Sequence, residues 1–311
     1  MEFKHVPIML TECIENLNIN PDGVYVDATL GGAGHSCEIA KRLSEKGTLI
    51  GIDKDATAIK VSGERLSKFK CKVILVNDDY KNLLNILNEN NIQKIDGLLA
   101  DLGVSSYQLD EIERGFSYSK DAKLDMRMNQ NQRLTAEEVV NNYTEKDLVK
   151  ILFEYGEESF AKSIVRNILK AREVAPIKTT GELVKIIEKS VPTKLLYKGG
   201  SVAKKTFQAI RIEVNSELEN LKAVLNDMVE CLKPTGRLCI ITFHSLEDRL
   251  VKNCFTENSQ GCVCPKSFPI CVCNHKPKIK LISKKPIVPS QEEMKINSRS
   301  TSSKLRVAEK L

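Results

Sequence analysis

Four short apolar runs up to residue 102, three of them with an aspartate at or next to their last position, constrain this chain more than any other feature. The runs 24–28, 48–53, 72–76 and 97–102 are rich in β-branched residues, and segments of helical period separate them at 35–45, 56–68 and 80–90. Strands that alternate with helices in this way must pair in parallel, because each helix carries the chain back to the start of the next strand. The expected fold class is therefore α/β, a doubly wound sheet. Asp27, Asp53 and Asp101 then stand where three strands end. Open parallel sheets bind ligands beyond the carboxyl ends of their strands, so the three acids point to one crevice.

The strand signal stops at about residue 110. From 110 to 205 the chain reads as helices, with Thr135-Ala-Glu-Glu and Thr144-Glu-Lys-Asp at capping-box spacing. Apolar residues then recur at helical spacing over 206–232, Lys233-Pro-Thr-Gly stops that helix, and 238–243 reads as one more buried strand. The expected domains are an α/β domain made from 1–109 and 206–311 and an inserted helical domain at 110–205.

The 311 residues hold no apolar run long enough to cross a bilayer, and the first eleven carry charges and Pro7 where a secretory leader needs an apolar centre. A cytoplasmic protein is expected, with no membrane partner. Ten cysteines in that compartment imply thiols or metal ligands, not disulfides. Net charge is +6, yet residues 262–311 hold 11 Lys and Arg against three Asp and Glu, so the basicity belongs to the tail. Lys276, Lys278, Lys280, Lys284 and Lys285 are its densest stretch, either a footprint for nucleic-acid phosphates or a solvated surface.

The turn after the first strand, Asp27-Ala-Thr-Leu-Gly31-Gly-Ala33-Gly34-His35, places glycines where backbone must approach a ligand, just before a helix. Its spacing is not G-x-G-x-x-G, which disfavours a dinucleotide. Asp53 can accept hydrogen bonds from two ribose hydroxyls, or else caps the next helix. Tyr80 follows the third strand, where a ring can stack on adenine with the Asp79 carboxylate beside it, or can simply be core. Asp101-Leu-Gly-Val-Ser105-Ser106-Tyr-Gln108 supplies a carboxylate, two hydroxyls and an amide, which suits a reaction centre or a serine-rich loop capping a helix. His244 can orient a base or accept a proton, or serve as a hydrogen-bonded structural histidine. No G-x-S-x-G elbow accompanies Ser245, so hydrolysis is set aside.

Taken together, Asp27-Ala-Thr-Leu-Gly-Gly-Ala-Gly-His35, Asp101-Leu-Gly-Val-Ser-Ser106, Arg114-Gly-Phe-Ser117, Leu124-Asp-Met-Arg127, Thr206-Phe-Gln-Ala-Ile-Arg211 and Phe243-His-Ser-Leu-Glu-Asp-Arg249 resemble the bacterial RsmH (MraW) family. The likeness runs nearly end to end. It implies a Rossmann-like class I methyltransferase sheet, with the inserted helices as a wall that holds RNA. It also implies S-adenosyl-L-methionine as methyl donor and N4 of a cytidine in the decoding region of 16S rRNA, within the small ribosomal subunit, as target. A methyltransferase acting on another nucleic-acid base is the alternative. By motif match the donor site would comprise Asp27, Gly31, Ala33, Gly34, His35, Asp53, Tyr80, Asp101 and Gln108. Asp101-Leu-Gly-Val departs from the Asp-Pro-Pro-Tyr of many amino-methyltransferases, which leaves the catalytic acceptor among Asp101, Ser105, Ser106 and His244.

Cys262-Val-Cys264 and Cys271-Val-Cys273 form a second feature that the resemblance does not require. Four thiols in a short loop, with His275 in reserve, can surround one zinc ion, or remain reduced thiols. Two rival functions follow from the residues, a nicotinamide-dependent oxidoreductase and a zinc-dependent RNA-binding module without catalysis. The sequence leaves monomer and homodimer equally open.

Overall fold

The computed structural model describes residues 7–197, 201–262, 264–265, 270 and 272–311. They divide into two compact units, Met1–Gly103 with Leu218–Leu311, and Val104–Glu217.

The first unit begins with α1 (Leu10–Leu17) and β1 (Val24–Asp27), followed by α2 (Gly34–Ala40), β2 (Thr48–Asp53), α3 (Ala56–Leu66), β3 (Lys72–Asn77), α4 (Leu83–Glu89) and β4 (Ile95–Asp101). These strands match the expected runs to within two residues. The predicted helix at 80–90 opens instead with a 3₁₀ turn, Tyr80–Asn82, whose cap is the Asp79 carboxylate accepting from the Lys81 N–H at 3.0 Å. The predicted helix at 35–45 ends early, at Ala40.

The second unit holds α5 (Ser106–Asp110), α6 (Ala136–Asn142), α7 (Glu145–Glu154), α8 (Ala161–Val174), α9 (Thr180–Ser190), α10 (Thr193–Leu196) and α11 (Lys204–Asn215). Thr135 and Thr144 cap α6 and α7, each accepting a backbone N–H three residues on. Their hydroxyls satisfy amides that the first helical turn leaves without partners. Leu148, Ile151 and Leu152 of α7, Ile164, Val165 and Ile168 of α8, Leu183 and Ile187 of α9, and Phe207 and Ile210 of α11 form this unit's core. Across it, the buried Asn215 side chain accepts from Met128 N–H and donates to the Met126 carbonyl, both at 2.8 Å.

The single helical period read over 206–232 is two helices, α11 and α12 (Glu217–Glu230). Ser216 between them takes a left-handed backbone, φ 49°, and the Arg211 guanidinium donates to both Glu217 carboxylate oxygens at 2.8 Å. A two-pronged pair across a one-residue break fixes the turn that periodicity alone cannot register.

The chain continues through β5 (Leu232–Thr242), α13 (Ser245–Ser259), β6 (Ile279–Leu281), α14 (Gln291–Ile296) and β7 (Lys304–Lys310). Lys233-Pro-Thr-Gly lies inside β5, where the register against β4 shifts between Ile95 and Gly97. The seven strands order as β3-β2-β1-β4-β5-β7-β6. The first five are parallel and β7 runs antiparallel to both neighbours.

Alternate side chains serve opposite faces of this sheet, as a period of two requires. Val26, Ile50, Leu98 and Ile240 pack with α4, α12 and α13, whereas Tyr25, Leu49, Leu99 and Cys239 pack with α1, α2 and α3. Helices cover both faces, which makes the unit a Rossmann-like, class I type of α/β layer structure. Because the order steps outward from β1 on one side and from β4 on the other, the switch point lies between these two strands, where open sheets leave a crevice. Among the described residues, no helix is long and apolar enough to cross a membrane.

Candidate functional site

Register places the three strand-end aspartates side by side. Asp27 pairs with Gly51 of β2 and with Leu99 of β4, Asp53 closes β2, and Asp101 closes β4 opposite Ile241 of β5. All three therefore stand at the carboxyl edge of neighbouring strands around the switch point.

Asp27 is buried, and its carboxylate accepts from Ser36 Oγ at 2.6 Å and from Thr29 N–H at 3.2 Å. Burial outweighs these bonds and pushes its pKa up to about 6. Asp53 accepts from the Gly31 N–H and the Asp55 N–H, each at 2.8 Å, and burial also pushes it up to about 6. The cap of α3 is Asp55, accepting from Thr57 N–H at 3.0 Å, so Asp53 is not spent as a helix cap. Each carboxylate oxygen carries two lone pairs, so Asp53 keeps acceptor capacity beyond those two amides.

Asp101 differs from both. Its backbone N–H donates to Thr29 Oγ1 at 2.6 Å, but its Oδ1 is shielded from solvent with no hydrogen-bond partner among the described residues. Burial, then the Asp27 and Glu247 charges, hold its carboxyl well above the usual range. A buried carboxyl oxygen without a donor is costly unless a ligand supplies one.

The turn between β1 and α2 joins this edge. Gly31 has φ 49° and Ala33 φ 58°, left-handed conformations that direct the Gly31 N–H to Asp53. Ser62 of α3 donates to the Gly31 carbonyl at 2.8 Å. The glycine at 34 has a packing reason, since a Cβ there would lie 2.2 Å from Pro7 Cγ. His35 is buried on α2, with Nε2 3.1 Å from the Ile8 carbonyl oxygen and Nδ1 3.9 Å from Asp101 Oδ2.

Tyr80 is half-buried beyond β3, with Lys54 Nζ 5.7 Å from its ring centre. The neighbouring Asp79 carboxylate is engaged by Lys54 Nζ at 2.9 Å and Asn220 Nδ2 at 2.8 Å. Asp79 thus anchors the turn under the ring, a role the sequence reading did not give it.

His244 caps α13. Its Nδ1 accepts from Glu247 N–H at 3.4 Å, and Glu247 Oε2 accepts in return from Phe243 N–H at 2.8 Å. The His244 Nε2 approaches Glu247 Oε1 to 3.1 Å, but not in hydrogen-bond alignment. In the second unit, Ser105 and Gln108 form a reciprocal capping box on α5. Ser105 Oγ accepts from Gln108 N–H at 3.2 Å, and Gln108 Oε1 accepts from Ser105 N–H at 3.1 Å. The Ser106 side chain and Cys271 lie outside the described residues. Cys262, Cys264 and Cys273 bring their sulfurs within 4.8 Å of one another.

The sequence reading missed Thr29 and Ser36, which hold Asp101 and Asp27 in place. Their signal was available, as hydroxyl residues two and nine positions after the first aspartate, one in the turn and one in the first turn of α2. Of the five tail lysines, Lys278 pairs with Glu230 and Lys280 with Glu309, each at 2.6 Å, while Lys276, Lys284 and Lys285 are exposed.

The sequence model of the MraW methylase family matches residues 2–311. The chain is 56% identical over 311 residues to ribosomal RNA small subunit methyltransferase H 2 of Agathobacter rectalis, covering 100% of this chain and 99% of that one. It is 58% identical over 311 residues to ribosomal RNA small subunit methyltransferase H of Clostridium botulinum (strain 657 / Type Ba4), covering 100% of both. Among solved structures, an rRNA methylase from Streptococcus thermophilus is similar at a TM-score of 0.43 and 12% identity, over 97% of this chain and 93% of that one.

Proposed function

The chain belongs to the MraW methylase family, and on that premise we propose that it transfers a methyl group from S-adenosylmethionine to N4 of a cytidine in the decoding region of 16S rRNA. The reaction belongs in the cytoplasm, on the small ribosomal subunit. The observation that carries the donor reading is the buried Asp101 Oδ1 without a hydrogen-bond partner among the described residues, beside two further carboxyls whose affinity for protons is raised. Three acids that resist ionisation together suit a cationic ligand, because a positive charge offsets both the burial and their mutual repulsion.

When bound, S-adenosylmethionine supplies a methyl group on a positively charged sulfur. Asp53 accepts from the ribose hydroxyls with the lone pairs that Gly31 and Asp55 leave unused. Tyr80 offers its ring to the adenine, on a turn that Asp79 pins to Lys54 and Asn220. Ala33, Gly34 and His35 form the floor under the donor's amino-acid end. Asp27, already bound to Ser36 and Thr29, holds the turn and adds negative charge beneath it.

The chemistry is a displacement at the methyl carbon. A bond forms from N4 to the methyl group as the methyl–sulfur bond breaks, and that bonding pair stays on sulfur. N4 becomes acidic as it bonds, and Asp101 accepts its proton and passes it to water. A carboxylate with raised proton affinity is better matched to that task near neutral pH than an ordinary one. Holding the amine about 3 Å from the methyl carbon, with its lone pair in line, supplies much of the remaining acceleration. No hydrolytic triad and no metal enter this scheme.

The test is to incubate the full chain with unmethylated small subunits and labelled donor, then map the modified nucleotide by mass spectrometry. Label on N4 of one decoding-region cytidine is expected. Label on another base, on a ribose oxygen, or on no 16S nucleotide rejects the proposal.

A further inference from the structure

Residues 260–277 connect α13 to β6. Among the described residues of this segment no side chain is buried, and Ile270 and Val272 stand 74% and 66% exposed. At its base, Lys278 N–H donates to the Asn258 carbonyl at 2.8 Å and Leu311 N–H to the Lys278 carbonyl at 3.0 Å. Ordering chain costs conformational entropy, and the described residues of this segment bury no apolar side chain that offsets it.

Within it, Cys262, Cys264 and Cys273 bring their sulfurs within 4.8 Å of one another. In extended chain, residues two apart share a face, so the one-residue gap between Cys262 and Cys264 does not prevent convergence. The Sγ atoms of Cys262 and Cys273 are 3.8 Å apart. A disulfide would need about 2.05 Å. Sulfurs at two corners of a tetrahedron, each about 2.3 Å from a central zinc, stand about 3.8 Å apart. The Val272 N–H donates to Cys264 Sγ at 3.4 Å, the kind of outer hydrogen bond that orients a metal-binding group. His275 follows two residues after Cys273, across the left-handed Asn274 at φ 49°, and its Nε2 is shielded from solvent without a hydrogen-bond partner among the described residues.

We infer that Cys262, Cys264 and Cys273 form the core of a structural zinc site that staples this loop, a role separate from methyl transfer. The cluster stands on three sulfurs and their geometry; the His275 ring lies outside that 4.8 Å group and would have to turn toward it to take the fourth position. As zinc binds, three thiols become thiolates and release their protons to solvent. The staple fixes a loop that also carries the exposed Lys276.

The test uses the full chain, expressed with zinc in the medium and purified under reducing conditions without chelator. Elemental analysis should find about one zinc per chain. Cys262→Ser, Cys264→Ser and Cys273→Ser should each lose it, while Lys276→Ala, in the same loop, should keep it. Titrating cobalt into chelator-stripped protein should produce thiolate-to-cobalt charge-transfer absorption, weakened in each cysteine variant. Absence of that absorption in the unmodified chain overturns the inference, whether or not the variants fold. So does stoichiometric iron or copper in place of zinc, or an intramolecular disulfide in the mass spectrum of the isolated chain. Methylation activity is not the readout, so a failed zinc site and a failed methylation proposal give different results.

Discussion

His35 Nδ1 stands 3.9 Å from Asp101 Oδ2 while Nε2 of the same ring lies 3.1 Å from the carbonyl oxygen of Ile8. A carbonyl only accepts, so Nε2 carries the proton of that bond, and in the neutral ring Nδ1 is left as a lone pair facing the carboxyl. An imidazole with a lone pair toward Asp101 tolerates that carboxyl in its protonated form, in keeping with its strongly raised proton affinity.

His35→Ala removes the donor to the Ile8 carbonyl within a buried corner of the sheet's α1–α3 face. Leaving that acceptor unpaired should lower unfolding stability by about 1–3 kcal/mol, read as a lower urea midpoint at unchanged slope. A midpoint equal to that of the parent chain would show that the ring does not hold the segment before α1.

Asp53→Ala should weaken donor binding and leave the secondary structure intact. Losing hydrogen bonds to a charged group costs about 1.5–3 kcal/mol, roughly a tenfold to hundredfold rise in Kd. Calorimetry with S-adenosylhomocysteine reads the affinity and circular dichroism reads the fold. Unchanged affinity in a folded variant removes Asp53 from the ribose role.

The pH dependence has an unusual sign. Burial holds Asp27 and Asp53 at about 6 in the folded chain, above the ordinary aspartate value of 3.8. Between those values the folded chain binds more protons than the unfolded one. Their contribution to stability is therefore complete below about pH 4 and is lost as pH rises through 6. Donor binding runs the other way, since the ionised carboxylates attract a cation. S-adenosylmethionine should bind about tenfold more weakly at pH 5 than at pH 7.5, with a smaller change for S-adenosylhomocysteine, which lacks the sulfonium charge. Equal pH slopes for the two ligands would contradict a carboxylate-lined cation site.

Gly34→Ala tests the packing reason for that glycine. An added Cβ would meet Pro7 Cγ at 2.2 Å, so the segment before α1 must shift, at a cost of about 1–3 kcal/mol. Protease cleavage near Pro7 should accelerate in the variant. If it does not, the contact with Pro7 is not what restricts position 34.

Sheet and caps were legible because their causes are local. Strand runs follow β-branched composition, and Thr135 and Thr144 announce α6 and α7 by spacing alone. The convergence of Asp27, Asp53 and Asp101 was also legible, because parallel order puts every strand's carboxyl end on one edge. Contacts between distant residues were not. Nothing near Gly34 says that Pro7 packs against it, and the helical period of 206–232 runs on in sequence through the left-handed Ser216, although Ile210 and Val214 pack in one core and Leu221 and Leu225 in another. Tyr80 and Asp79 were read as a ring and a ligand acceptor, but the carboxylate's pairing with Asn220 crosses 141 positions of sequence. Ser105 and Gln108 read equally as reaction centre or helix cap, and their side chains do form the cap.

Asp101→Asn is the decisive substitution for the chemistry, because it keeps the side chain's size and one carbonyl oxygen while removing its capacity to take a proton. The buried Oδ1 that lacks a partner would become either an amide oxygen or an NH₂ group. An amide oxygen still accepts a hydrogen bond from the target amine, so RNA binding should change little. The proton, however, has no carboxylate to receive it, and general-base assistance contributes about 10²–10⁴-fold in rate. Single-turnover methylation under saturating donor and subunit should therefore slow by roughly that range, with the dissociation constant for the subunit within a few-fold of the parent's. The pH profile separates this from a loss of positioning. The parent's rate should rise with the ionisation of Asp101, and that rise should vanish in the variant, whereas a mispositioned substrate would lower the rate and keep the profile. A variant that turns over at the parental rate would mean that the proton leaves N4 directly to water, and that Asp101 serves only to hold the donor's positive charge at the mouth of β4.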